Sequence, residues 1–151
     1  MRADYVVTQK DMEGRADVDD AVGLASYGVD EWPYAMVPLD GKIALSGGYY
    51  SMLYLEEPHR GVYRISYRAI VPKQEECVNL FVPVCCSASH IAMTSIRMEP
   101  VWMILGESAG VAAAMASREG VPVQQIDSQA LRNKLLQLNQ RLDRRPARRE
   151  P

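Results

Sequence analysis

The chain has 151 residues, 48% of them hydrophobic and 24% charged, with a formal net charge of −2. That is room for one domain with its own core, and the chain is too apolar to be disordered. It is short for a complete two-domain enzyme built around a nucleotide cofactor.

Residues 1–42 are acidic and turn-rich. Tyr5, Val6, Val7 and Thr8 read either as a short strand or as the lead into a helix cap. Residues 17–27 read as a short helix starting near Asp17 or Asp19. Trp32-Pro33 and Pro38-Leu39-Asp40-Gly41 read as loop. Ile43-Ala44-Leu45 and residues 49–55 flank Ser46-Gly47-Gly48, which predicts a β-hairpin turning at the glycines. Residues 56–61, with Pro58, form the next turn. Residues 62–71 then alternate, with Tyr63, Ile65, Tyr67 and Ala69 on one face and Arg64, Ser66 and Arg68 on the other.

Residues 77–82 are a compact apolar run, as expected of a strand buried on both faces of an α/β sheet. Residues 84–98 form a long Ser-rich connection. Glu99-Pro100 opens a helix, because the missing N–H of Pro has no partner in a first turn anyway. That helix runs to about Arg118 and stops at Gly120. Its Gly106, Gly110, Ala113 and Ser117 fall in one stripe of small residues, with Ile104, Val111 and Met115 opposite, so burial on two sides is expected. Asp127 caps a last, amphipathic helix carrying Leu131, Leu135, Leu138 and Leu142.

Five of the basic residues, Arg141, Arg144, Arg145, Arg148 and Arg149, crowd the C-terminus, and residues 143–151 read as a disordered basic tail. The body is mildly acidic without a basic stripe, so no nucleic-acid partner is expected. No apolar targeting core follows Met1, and residues 100–117 contain Glu107 and many Gly and Ala, which suits a buried helix better than a membrane span. No membrane partner and a cytoplasmic setting are therefore expected. Cys77, Cys85 and Cys86 lack CxxC spacing, so no metal site is expected. Cys85 and Cys86 are either reduced thiols or a strained vicinal disulfide.

Two constellations carry chemistry. Gly106-Glu107-Ser108-Ala109-Gly110 matches G-x-S-x-G, the nucleophile elbow of α/β-hydrolases. No His follows Ser108, although the hydrolase order requires one, and the motif lies at helical spacing. Ser108 is then a helix-interior hydroxyl bonded back to the Ile104 carbonyl; an esterase-like fragment using Ser108 stays as the alternative. The second constellation runs from Ser87, Ala88, Ser89 and His90 to Ile96, Arg97, Met98 and Glu99, ending at a helix N-terminus. Free N–H groups and the helix dipole suit that end to a phosphate or to developing negative charge; structural ion pairs of Arg97 and Glu99 are the equal alternative. No G-x-G-x-x-G dinucleotide turn occurs.

In order along the chain stand Tyr67-Arg68-Ala69-Ile70-Val71-Pro72-Lys73, Asn79-Leu80-Phe81-Val82-Pro83-Val84, Ser87-Ala88-Ser89-His90-Ile91-Ala92, Ser95-Ile96-Arg97-Met98-Glu99-Pro100 and the GESAG block. Together they resemble the C-terminal part of FAD-dependent oxidoreductases of the glutathione-reductase-like superfamily, with heterodisulfide-reductase-like relatives. The resemblance covers most of residues 1–127, and Gly23-Leu24-Ala25-Ser26-Tyr27 resembles the segment before the blocks.

The resemblance implies an α/β fold, α+β within this chain. It would comprise the C-terminal strand–loop–helix of an FAD-binding Rossmann-like domain plus part of a β-rich substrate domain. Residues 1–72 would belong to the substrate or cap region, 73–142 to the FAD-binding domain, and 143–151 to the tail. The cofactor implied is FAD, contacted by Ser89, His90, Ser95, Ile96, Arg97, Met98 and Glu99 around the flavin-facing helix start. Gly106 and Gly110 would pack close to the nucleotide fold. An iron–sulfur cluster is implied only at the level of distant relatives. Where many flavoproteins carry Gly-Asp after the last strand, Pro83-Val84-Cys85 stands here, so no ribityl-binding Asp is assigned. The resemblance further implies a small-molecule substrate, an FAD domain upstream, and little activity for this chain alone.

Overall fold

The computed structural model describes residues 1–50 and 61–143. Its elements are helix α1 (Gln9–Met12), strands β1 (Ala21–Ala25), β2 (Val29–Leu39), β3 (Lys42–Tyr50) and β4 (Tyr63–Ser66), and helices α2 (His90–Ile96), α3 (Glu99–Glu119) and α4 (Ser128–Gln137). Short 3₁₀ turns lie at Tyr67–Ala69 and Val123–Gln125. The architecture is mixed α+β: β1 pairs antiparallel with β4, β2 pairs antiparallel with β3, and helices cover the first pair.

The N-terminal segment leads into a helix cap and forms no strand of its own. Val7 makes a single parallel bridge to Ala88, and Thr8 then caps α1 in a reciprocal capping box with Asp11. Residues 21–25 form strand β1 and not the expected helix. The buried Asp20 explains the difference, because its carboxylate is spent on long-range bonds and caps nothing. It accepts from the Ser66 hydroxyl at 2.7 Å and from Arg68 Nε at 2.9 Å, while its backbone carbonyl accepts from the Tyr67 N–H at 2.9 Å. These bonds fasten the chain just before β1 to the end of β4. They also end β4, since the Ser66 hydroxyl caps the turn that follows. The expected alternation survives that bend: Tyr63, Ile65, Tyr67 and Ala69 are all buried. Ser66 is buried too, contrary to an outward face, because Asp20 is there to receive it.

The pairing of β1 with β4 shifts register between Ala21 and Gly23, which leaves Val22 as a bulge residue. A bulge carbonyl must find donors outside the ladder. Helix α3 supplies one, as shown below, and lies directly across β1. The close approach requires Gly23: a Cβ there would stand 2.9 Å from Ile104 Cγ2 and 3.3 Å from Leu105 Cδ2.

The hairpin turns at Asp40-Gly41, not at Gly47-Gly48. Both turn residues have positive φ, 49° and 72°, as a two-residue type I′ turn demands. Residues 33 and 38 are prolines inside β2, which made the segment look like loop; a strand on a sheet edge tolerates them. Gly47 and Gly48 lie within β3. The expected strand residues 51–55, the turn 56–60 with His59, and the tail residues 144–151 lie outside the described residues.

Residues 77–82 form no strand. The Val82 N–H reaches the Ile70 carbonyl at 2.8 Å and the Val78 carbonyl accepts from the Val123 N–H at 2.9 Å, but no ladder develops. Val78 and Leu80 are exposed, because no strand runs alongside among the described residues. Gln124 holds this segment by donating to the carbonyls of Pro72 and Cys77, both at 2.8 Å. Residues 84–98 are not all loop, since α2 occupies their second half with Ser89 as its N-cap.

The C-terminal half follows its sequence closely. Helix α3 starts with Pro in its first turn and ends on Gly120 in the left-handed region at φ 65°. Asp127 caps α4 by accepting from the backbone of Gln129 and Ala130. Leu131, Leu135 and Leu142 are buried, whereas Leu138 is exposed past the helix end. One core joins Val7, Met12, Val22, Tyr63, Ile65, Leu105, Ala112 and Leu131. Helix α3 buries a single face, Val101, Leu105, Ser108, Ala109, Ala112, Met115 and Ala116. Burial on two sides is therefore not observed among the described residues: Gly110, Ala113 and Ser117 of the small stripe are exposed, and Gly106 is half-buried.

Two outcomes follow from this packing. Gly23→Ala forces Ile104 to move and should lower stability by about 1–3 kcal/mol in urea unfolding; an unchanged midpoint would contradict the close approach. Burial pushes the Asp20 pKa up, but hydrogen bonds from Arg68 and Ser66 and the Arg68 charge outweigh it and hold the carboxyl below its ordinary value of 3.8. The Asp20 contribution is thus complete above the ordinary value and lost as pH falls through the depressed one. Asp20→Asn should be less stable than the native chain at neutral pH, with the difference shrinking in acid titrations below about pH 4.

Candidate functional site

The serine-rich connection is anchored before it becomes helix. The Val7 N–H donates to the Ser87 carbonyl at 2.9 Å, the Ser89 N–H to Val7 at 2.8 Å, and the Ser87 N–H to Ala69 at 2.7 Å. These bonds fix the start of α2. Ser89 then spends its hydroxyl on the Ala92 N–H.

Helix α2 packs on β2, and this brings two polar residues of the connection onto the base of the hairpin. Arg97 Nη2 lies 3.0 Å from Asp30 Oδ2. His90 Nδ1 lies 3.9 Å from Glu31 Oε1 and is largely exposed. The Tyr27 hydroxyl approaches Asp30 Oδ2 at 3.5 Å, and its ring meets Tyr49 edge-on at 5.9 Å. Below them, the Ser95 hydroxyl donates to the Tyr27 carbonyl. Its one proton is thereby used, so the Tyr63 hydroxyl, 2.6 Å away, is the donor to Ser95. Burial raises the Tyr63 pKa and keeps that phenol neutral.

Among the residues singled out from sequence, the fold therefore makes a division. His90 and Arg97 converge with Asp30, Glu31 and Tyr27. Ser89 and Ser95 are committed to a cap and to a buried bridge, and Ile96 is fully buried in the core. Met98 is the N-cap of α3 but offers no side-chain bond. Glu99 is exposed in the first turn. A Cβ on Gly106 or Gly110 would meet nothing within 4 Å, so neither glycine serves a close contact among the described residues.

The start of α3 is consequently an uncapped helix end. The Val101 and Trp102 N–H groups turn back to the Met98 carbonyl, at 2.9 and 3.2 Å. The Glu99 N–H is left with no backbone acceptor among the described residues, and Pro100 has none to offer. In the same turn, the buried Trp102 Nε1 has no acceptor among the described residues. Sequence reasoning missed Trp102, Asp30, Glu31 and Tyr27. The acids come from the start of β2 and the tyrosine from the link just before it, about sixty residues away in sequence, and no local signal marks them.

Ser108 is fully buried. Its hydroxyl does not return to Ile104; it donates to the carbonyl of Val22, the bulge residue, at 2.6 Å. Gln140 Nε2 donates to the same carbonyl at 2.7 Å and to Ser108 Oγ at 2.8 Å. A serine whose proton and lone pair are both engaged in the core, with no imidazole among its partners, is not an activated nucleophile. The three cysteines are free, and burial pushes the Cys86 thiol up to about 11. Among the described residues no group of three or more His, Cys, Asp or Glu is placed to hold a metal. No described helix is long and apolar enough to cross a membrane.

The family model described as FAD dependent oxidoreductase matches residues 1–135 of the chain. The chain belongs to this family. No curated protein and no solved structure matches it.

The chemistry of that family is flavin chemistry, and the GESAG serine takes its place as a structural tie. A fluorophosphonate probe should leave Ser108 unlabelled. Ser108→Ala should cost about 1–3 kcal/mol in denaturant unfolding, the penalty for a buried carbonyl and amide losing a partner. Labelling of Ser108, or a fully neutral substitution, would contradict its role at Val22.

Proposed function

We propose that this chain supplies the flavin-facing segment of an FAD-dependent oxidoreductase, with the first turn of α3 directed at the electron-poor ring. The observation that carries the reading is the donor set at that turn: an uncapped helix start, and an indole N–H buried without an acceptor among the described residues. Such a set fits the carbonyl oxygens on one edge of a flavin. The residues that would hold it are Glu99, through its backbone N–H, Trp102 and His90. When bound, FAD would supply two-electron redox chemistry toward a substrate, with negative charge growing on the ring as it is reduced.

The positive end of the α3 dipole stabilises such charge, and its fixed N–H needs no reorganisation to do so. Arg97 is held by Asp30, which sets its guanidinium in place and tempers its charge. Ser95, bonded to Tyr63 and to the Tyr27 backbone, keeps α2 and therefore the start of α3 in position. Residues up to 72 would then belong to the substrate side and residues 73–142 to the FAD-binding side. No phosphate-binding glycine turn occurs in the chain, so we place the diphosphate and adenosine against residues outside it. The substrate is a small molecule in this reading.

Produced from its whole gene, the protein should purify with a flavin absorbance band. Trp102→Phe keeps an aromatic ring but removes the indole N–H, and should weaken FAD retention about fivefold, the worth of one hydrogen bond of about 1 kcal/mol. A protein free of flavin would overturn the proposal, as would a Trp102→Phe variant with unaltered affinity.

A further inference from the structure

The distal half of the β2–β3 hairpin projects an apolar surface that the functional reading does not use. Antiparallel register places Met36 opposite Leu45 and Pro38 opposite Ile43. With side chains alternating along each strand, these four share one face. Met36 is 78% exposed, Ile43 75% and Leu45 68%. Large apolar side chains left bare in a contiguous group mark an interaction surface more often than isolated ones do.

The two outer edges of the hairpin are not equivalent. A two-residue turn at Asp40-Gly41 makes Leu39 and Lys42 the first hydrogen-bonded pair. Residues 38 and 43, and 36 and 45, are then non-hydrogen-bonded pairs whose backbone groups point outward. On β2 this outward position falls on Pro38, which has no N–H, so that edge is blunted. On β3 the outward groups belong to Ile43 and Leu45, and both offer an N–H and a carbonyl. Among the described residues β3 has no second neighbour.

We propose that β3 pairs antiparallel with β3 of a second copy of this chain about a two-fold axis, forming a four-stranded sheet. Self-complementarity selects the occupant. With Ile43 opposite the partner's Leu45, the sheet face carries two identical rows, each reading Met36, Leu45, the partner's Ile43 and the partner's Pro38. The same two-fold brings Lys42, which makes no ion pair among the described residues, toward the end of the partner's hairpin. There Glu31 stands opposite Gly48. The contact closes on itself and leaves only the Pro38-blunted edges outward, so the assembly stops at two.

Sedimentation and light scattering of the 151-residue chain, under reducing conditions to exclude disulfide pairing, test this directly. The expected result is a particle of twice the chain mass that dissociates on dilution. Leu45→Pro removes an outward N–H that the hairpin itself does not use, and should give a monomer with an unchanged circular dichroism spectrum. Hydrogen exchange on the native chain supplies a readout that needs no variant. The amides of Ile43 and Leu45 should be protected in the dimer and lose that protection on dilution. A monomer at all concentrations, a dimer that persists in well-folded Leu45→Pro, rapid exchange of both amides in the dimer, or open-ended aggregates in place of a closed pair would each overturn the proposal.

Discussion

A single unpaired carbonyl organises much of this structure. The bulge in β1 turns the Val22 C=O away from the β1–β4 ladder, and a buried carbonyl without a donor costs on the order of 1–3 kcal/mol. Ser108 of α3 and Gln140, just beyond α4, both donate to it. Those bonds bring the longest helix and the C-terminal segment onto the same strand. Gly23, next in sequence, removes the side chain that would hold α3 away. The position of α3, and with it that of its uncapped first turn, is therefore set by an arrangement at β1.

The same arrangement explains a motif that points elsewhere when read alone. G-x-S-x-G suits a nucleophile elbow because glycines permit a strained turn and a serine provides an attacking oxygen. Here the pattern lies inside a regular helix, and its serine answers a carbonyl far away in sequence. A side chain on either glycine would meet nothing among the described residues, and neither glycine is needed for any turn. The chemistry is proposed instead for the beginning of α3, where a helix dipole, an amide and an indole N–H are present together with the Arg97–Asp30 pair. The family match agrees that no activated serine is needed, since the family is one of FAD-dependent oxidoreductases.

What the sequence makes legible follows from how local each signal is. Pro100, Gly120 and Asp127 each act within one helical turn, and α3 and α4 begin and end where those residues predict. The alternation of Tyr63, Ile65, Tyr67 and Ala69 likewise predicts burial, even though the strand bends at Ser66. The failures are non-local. Asp17 and Asp19 resemble helix caps, yet the chain after them becomes strand, fastened by Asp20 to Ser66 and Arg68. Asp40-Gly41 and Gly47-Gly48 are both plausible turns, and the choice depends on which residues pair across the hairpin. Residues 77–82 are apolar enough for a central strand, but a strand also needs a neighbour. In the candidate site, His90 and Arg97 stood out as polar residues near a helix start. Their partners Asp30 and Glu31 did not, because only the folded hairpin brings them there.

The most direct test of the account is the visible spectrum and melting temperature of the protein made from its whole gene, compared between the native form and Ser108→Ala. The account predicts the flavin band in both forms, with the variant melting a few degrees lower, since about 1 kcal/mol shifts a domain of this size by roughly 2–4 °C or slightly more. A colourless native protein would contradict the assignment of flavin chemistry to this chain. A Ser108→Ala form that melts unchanged would contradict the claim that this serine holds α3 in place.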